Sequence, residues 1–163
     1  MNEINPKWML EALKCAEYAE SIGEVPVGAV CVFENQIISK GYNQSISVND
    51  PTAHAEVIAI RNAAKKLENY RLNEVDLYVT LEPCLMCSGA IVHSRIKRII
   101  YATKDPKSGV LGSQCNIFES NFINHKAEII GGILEDRASQ MLKDFFKQRR
   151  QEKTNLKNKS DFK

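Results

Sequence analysis

No stretch of this chain is apolar for anything near the roughly 18 residues that a membrane-spanning helix needs, and its first residues hold no apolar leader segment. Membrane anchorage and export are therefore not expected, and a cytoplasmic location is. Cysteine is too scarce and too odd in number for a disulfide framework, at five in 163 residues. Cys15 and Cys31 lie in apolar patterns where a free thiol packs as a small hydrophobe, and Cys115, in a polar neighbourhood, has no assigned role. Internal repeats and linkers are lacking as well. What is present is ordinary globular usage, 44% apolar and 26% charged, enough for one domain with a sizeable core.

Charge of either sign is nearly balanced, but not evenly spread. Residues 143–163 hold eight Lys or Arg against three acids, whereas residues 1–142 hold fourteen against seventeen. The expected organisation is one domain over residues 1–152 and a basic, disordered tail over residues 153–163. A basic end suits phosphates, yet such ends also serve only as solubilising tails.

Helices and strands alternate along the chain. Asn5-Pro6 opens an amphipathic helix from Pro6 to about Glu20, with Trp8, Ala12, Leu13, Ala16 and Ala19 at helical spacing. Val25 to Phe33 and Gln36 to Tyr42 are strand-like and are joined at Glu34-Asn35, a hairpin turn. A helix from about Ala53 to Leu67 follows, for which Thr52 is the expected cap. Val75 to Thr80, a helix opened by Pro83 and closed near Ser94, and Ile96 to Ala102 make a strand-helix-strand unit, which implies parallel pairing and a right-handed crossover. Ala127 to Ile130 is a fifth strand, and Glu135 to about Gln151 is the last helix. The fold class is α/β, with a sheet covered on both faces and ligands gathering at strand ends and helix starts.

Two segments at such starts carry chemistry: His54-Ala55-Glu56 and Pro83-Cys84-Leu85-Met86-Cys87. An imidazole and two thiols at Cys-x-x-Cys spacing are three zinc ligands, and Glu56 is a proton carrier. Three protein ligands leave a tetrahedral zinc one position for water, whereas a structural zinc takes a fourth side chain. Two thiolates neutralise the metal's charge and make it a weaker acidifier of water, so a carboxylate is needed to help remove the proton. Cys84 and Cys87, at i and i+3, share a helix face, and two helix N-termini favour thiolates. Taken singly, Cys-x-x-Cys is also a redox pair, His54 a helix-start residue and Glu56 a first-turn carboxylate. Together they describe a hydrolytic metal site.

These segments resemble the zinc-dependent cytidine and deoxycytidylate deaminase superfamily, and within it the bacterial tRNA-specific adenosine deaminases. The similarity runs through Gly23-Glu24-Val25-Pro26-Val27-Gly28-Ala29-Val30, Asp50 to Glu56, Glu82 to Ile91, Arg95-Ile96, Asp105 to Gly109 and Phe145-Phe146, and covers about residues 6–152. The resemblance implies a three-layer α/β/α fold around a five-stranded mixed sheet. It also implies one zinc per subunit on His54, Cys84 and Cys87, with Glu56 catalytic. It places Asn43, Val27, Ala55, Asp105, Phe145 and Phe146 at the substrate. The implied reaction converts adenosine to inosine at the wobble position of a tRNA anticodon stem-loop, by a homodimer. The plainer roles are Asn43 in a turn, Val27 in the core, Asp105 capping its loop and both phenylalanines packing the last helix. Val110 and Leu111 depart from the smaller residues expected after Gly109 and are expected to reshape the substrate loop; Ala102-Thr103 after Tyr101 also departs from the pattern. His93 and His125 are read as structural.

Two rival functions share these residues. A deaminase of a free base, nucleoside or nucleotide keeps the zinc residues but lacks reason for the Asp105 loop and the basic end. A non-catalytic zinc module that binds RNA has no need of Glu56.

Overall fold

A computed structural model of the chain describes residues 3–161; the outermost positions of the expected domain and tail, residues 1–2 and 162–163, lie outside the described residues. The elements follow the order α1 (Pro6–Ser21), β1 (Gly28–Phe33), β2 (Gln36–Tyr42), α2 (Ala55–Leu67), β3 (Asp76–Leu81), α3 (Leu85–Ser94), β4 (Arg98–Thr103), β5 (Glu128–Gly131) and α4 (Glu135–Ser160). The strands form one sheet in the order β2-β1-β3-β4-β5. β1 is antiparallel to both β2 and β3, whereas β3, β4 and β5 are parallel. Thus α3 is the crossover between β3 and β4, as the strand-helix-strand pattern requires.

Alternation along each strand builds two cores. Ala29, Cys31, Leu77, Val79, Ile99 and Tyr101 face one side, where they meet Ala55, Ala59, Ile60 and Ala63 of α2 and Ile91 and Val92 of α3. Val30, Val32, Tyr78, Ile100 and Ala102 face the other, against Met9, Ala12, Leu13 and Cys15 of α1 and Ala138 of α4. Both faces are apolar because both are covered, the usual condition of strands in α/β sheets. Three layers result, α/β/α around a five-stranded mixed sheet. The free thiols of Cys15 and Cys31 are buried in these cores, and burial pushes the Cys31 thiol up to about 12.

Local rules set the element ends. Asn5 Oδ1 accepts from Lys7 N at 3.1 Å and Pro6 stands in the first turn, so α1 starts where the sequence places it. Met9, more than Trp8, fills its inner face; Trp8 is half-buried and lies under the Lys7 ammonium. β1 begins at Gly28 rather than Val25, since Pro26 has no N–H to give a ladder and Val27 N donates back to Val25 O. Glu34 and Asn35 both take positive φ (48° and 59°), the conformation a two-residue hairpin turn demands. The last helix does not stop near Gln151 but continues to Ser160. Its added residues are exposed, and a run with Glu, Lys and Leu and without Gly or Pro prolongs an existing helix without needing a core.

Two glycines set how closely the helices approach the sheet. A Cβ on Gly28 would stand 2.0 Å from Ala12 O, and one on Gly41 would stand 2.2 Å from Ala55 O and 2.7 Å from Ala59 N. The first turn of α2 is thus pressed against β2 at a point where no side chain fits.

At the opposite edge of the parallel pair, Asp76 opens β3 beside Arg98, which opens β4. The guanidinium donates to both carboxylate oxygens, through Nε at 2.8 Å and through Nη2, and both residues are buried. The Asp76 carboxylate raises the Arg98 pKa further above its ordinary value. Removing one partner of a buried pair strands the other charge, so Arg98→Met is expected to lower stability by about 3–5 kcal/mol in urea unfolding. A loss below about 1 kcal/mol would show that water reaches Asp76.

Candidate functional site

β2 and β3 run in the same direction, since each is antiparallel to β1; the loop over 43–54 leads from the end of β2 to the start of α2, and a short turn over 82–84 leads from β3 to α3, the two helix starts that carry the candidate ligands. His54 is the N-cap residue of α2 and Cys84 the N-cap residue of α3, and neither side chain makes a capping hydrogen bond. An N-cap residue adopts extended backbone and projects its side chain past the helix end, so both are directed out of the helices they open. Cys87 lies in the first turn of α3, buried, on the face that looks toward α2.

Here the expectations from sequence need correction. Thr52 does not cap α2; it is engaged with Asp50 Oδ1 through its N and Oγ1 at 2.8 and 2.7 Å. The cap comes from the residue just past β2: Asn43 Oδ1 accepts from Ala55 N at 2.9 Å. Likewise Pro83 precedes α3 by two residues, and the helix opens at Cys84 and Leu85.

The three ligand atoms lie within 4.8 Å of one another. Cys84 Sγ is 3.7 Å and Cys87 Sγ 3.5 Å from His54 Nδ1. A tetrahedral zinc with bonds of about 2.3 Å to sulfur and about 2.0 Å to nitrogen separates N from S by about 3.5 Å. The residues fit the ion. Among the described residues no fourth His, Cys, Asp or Glu joins the trio.

Electrostatics at this point are tightly linked. Hydrogen bonds from Cys87 and His54 bring the Cys84 thiol down to about 4 against the opposing effect of its burial. That thiolate, aided by burial, holds the Cys87 proton on, and it also raises His54. Glu56, 4% exposed, stands beside Cys87, and burial lifts its carboxyl to about 7. A carboxyl that exchanges a proton near neutrality next to a metal-ligand set can serve as a base and then as an acid.

Around this centre the other expected residues take varied places. Asn43 commits Oδ1 to α2, and among the described residues its Nδ2 makes no hydrogen bond, which leaves two N–H donors for a ligand. Ala55 is fully buried beside it. Val27 packs in the main core and its carbonyl accepts from Asn43 N at 3.2 Å. Asp105 Oδ1 caps its own loop, accepting from Lys107 N and Ser108 N. Val110 and Leu111 turn inward and are buried, Leu111 within the main core, so their added bulk goes to packing. Phe145 is buried, edge-on to Phe146 and beneath the Arg149 guanidinium; Phe146 is 46% exposed. His93 is exposed, His125 bonds Ile96 O, and Cys115 is exposed.

The geometry agrees with what the chain is similar to. The model of the MafB19-like deaminase family matches residues 4–150. A tRNA-specific adenosine deaminase of Haemophilus influenzae is 51% identical over 93% of this chain and 88% of its own length. One from Bacillus subtilis is 42% identical over 90% of this chain and 91% of its own. A solved structure from studies of A-to-I editing by tRNA:A34 deaminases superposes with a TM-score of 0.83 at 39% identity, over 85% of this chain and 100% of that one. The chain belongs to the tRNA-specific adenosine deaminases of the MafB19-like deaminase family. In this deaminase the three layers and the five-stranded mixed sheet that the resemblance implies are present, while α2 and α3 open at Ala55 and Leu85, two residues later than expected.

Sequence reasoning passed over two buried carboxylates of the deaminase. Glu24, 2% exposed, accepts from Ser47 N at 2.6 Å and so braces the loop that leads to His54. Glu82, 1% exposed, receives donors from the loop after β4. Their sequence signal is weak: a single acid at the edge of an apolar run. Because Asn43 caps α2, Asn43→Ala is expected to cost about 1 kcal/mol in urea unfolding and Asn43→Asp far less. Equal losses for the two would assign the effect to something other than the cap.

Proposed function

We propose that this deaminase converts adenosine to inosine at the wobble position of a tRNA anticodon loop, using one zinc held by His54 Nδ1, Cys84 and Cys87. The observation that carries the reading is the spacing of those three atoms together with a buried Glu56 beside them. Zinc bound there supplies Lewis acidity toward a water molecule, and thiolate ligands temper it.

The chain's own residues then manage protons and position. Glu56 accepts a proton from the attacking water and delivers it to adenine N1 as the water oxygen bonds to C6. The C6 centre becomes tetrahedral and carries the exocyclic amine beside the new oxygen. Glu56 takes the second proton from that oxygen and gives it to the amine; the C–N bond breaks, and ammonia and inosine are the products. Burial suits this double role, because a carboxyl lifted to about 7 holds and releases a proton with little bias. Asn43, its carbonyl locked to α2, aims its N–H donors at the base. Ala55 and Val27 close the floor of that pocket.

A base stacked in a duplex cannot bring C6 to this site, so the substrate is a loop whose adenine is splayed out. The Asp105 loop takes the sugar and backbone, and exposed Phe146 offers a stacking surface. Lys147 and Arg150 lie with Gln151, Thr154 and Asn155 on one face of α4, a surface for phosphates. Phe145 and Arg149 work inward instead, Arg149 donating to Gly23 O. The proposed setting is a cytoplasmic homodimer acting on tRNA. No helix among the described residues is long and apolar enough to cross a membrane.

Cys84→Ala is expected to lose zinc, measured as metal per chain by atomic emission; full occupancy would remove Cys84 from the ligand set. Glu56→Gln is expected to keep zinc and RNA affinity while inosine formation on an anticodon stem-loop falls at least ~100-fold. Activity within tenfold of the unaltered protein would refute the proton-carrier role. Ammonia release from free nucleosides but not from the stem-loop would favour the small-molecule reading.

A further inference from the structure

Glu82 directly follows β3, between the strand and Cys84, and its backbone N donates to Thr103 O at 2.8 Å. Its side chain is 1% exposed. Oε1 accepts from Leu111 N and Ser113 N, each at 3.0 Å; Oε2 accepts from Asp105 N at 3.0 Å and from Ser113 Oγ. One carboxylate therefore gathers three amides and a hydroxyl from both ends of the 105–113 loop. The same loop is joined to the next residue, Val110 N donating to Pro83 O at 3.2 Å. Gly109 lies directly on the carboxylate: a Cβ there would stand 2.4 Å from Cδ and from Oε2 of Glu82. Leu111 and Val110 anchor the underside of the loop in apolar packing, so its outer residues Pro106, Lys107 and Ser108 are left exposed beside the metal-ligand segment.

Amides brought together in a loop need an acceptor, and a charged acceptor holds them about twice as strongly as a neutral one. The other buried carboxylates are engaged elsewhere. Glu56 belongs to the reacting centre, Asp76 is paired with Arg98, and Glu24 braces a different loop. Glu82 has no place in the chemistry proposed above, yet it is the point at which the loop and the Cys84 segment become one rigid piece.

We propose that Glu82 is a positioning residue, whose buried carboxylate fastens the 105–113 loop to the segment carrying Cys84 so that the loop forms a fixed wall holding the RNA strand beside the target base. The proposal rests on the RNA-loop reading of the substrate. Contacts along the strand are made equally in ground and transition states, so losing them raises KM and leaves kcat in place. Glu82→Gln replaces two acceptor sites by an N–H donor facing other donors. It is expected to speed hydrogen exchange at the Asp105, Leu111 or Ser113 amides at least tenfold, to keep zinc at the unaltered stoichiometry, and to raise KM for an anticodon stem-loop at least tenfold with kcat within threefold. Ser113→Ala, which removes only one hydroxyl donor, keeps the test open if Glu82→Gln does not fold, with an expected rise in KM of roughly threefold.

Loss of zinc, unchanged amide exchange, or a fall in kcat at constant KM would overturn the positioning role. The unaltered protein is assayed alongside. If it turns over the stem-loop while Glu82→Gln and Ser113→Ala keep its KM, the positioning role falls and the function stands. If the unaltered protein releases no ammonia from the stem-loop, the substrate reading falls and takes the RNA-holding role with it, while amide exchange still reports whether Glu82 fastens the loop.

Discussion

The pressing of α2 and α3 onto one face of the sheet, so that both helices begin at the same place, is the constraint on which the remaining structure depends. Close contact at Gly41 brings Ala55 O to where a side chain would otherwise stand, and the parallel β3-α3-β4 crossover brings Cys84 alongside. With both helix N-termini fixed, His54 Nδ1 and the two sulfurs approach to within hydrogen-bonding range of one another. Partial positive charge at the two helix starts favours the thiolate that such a cluster needs. The candidate metal-ligand cluster is thus a consequence of packing, with His54 and Cys84 opening the two helices and Cys87 in the first turn of α3.

Around that point the protein uses buried polar side chains to hold loops. Glu24 holds the turn before His54, Glu82 holds the turn after β4, and half-buried Asn43, just past β2, closes the α2 start. Loops supply ligand-facing backbone but lack a ladder to hold them, and buried acceptors from the rigid sheet edges substitute for one. The same logic separates these groups from Asp76, whose partner is a guanidinium at the far end of the sheet and whose role is to keep β3 and β4 together. Charge near the reacting centre is tuned by burial; charge at the other end is neutralised by pairing.

Legibility in the sequence followed the range of the interaction responsible. The α1 start at Asn5-Pro6, the hairpin at Glu34-Asn35 and the strand-like runs at 75–80 and 96–102 are local, and each was visible. Element ends drifted where a neighbour in space intervened. Thr52 is a good capping residue, but Asp50 claims its hydroxyl and Asn43, twelve positions before Ala55, takes the cap. Val110 and Leu111 looked like additions to a substrate loop, and the core absorbed them. Arg149 lies in the basic end of the chain, yet it reaches Gly23 O, 126 positions away.

By itself the sequence determined the donor types and their spacing. An imidazole, two thiols three positions apart and a carboxylate two positions past the imidazole are covalent facts, and soft-ligand chemistry follows from them without a fold. It also determined the alternation of strands and helices, because the periodicity of apolar residues is a local property of the chain. Only the tertiary structure decided what surrounds each buried carboxylate: Glu56 stands beside Cys87, Glu24 and Glu82 accept from loop amides, and Asp76 meets Arg98. Glu24, Glu56, Asp76 and Glu82 are alike as side chains; what distinguishes them is which donors surround them and how far water is excluded. Those quantities come from segments distant in sequence, and they exist only once the sheet has brought the segments together.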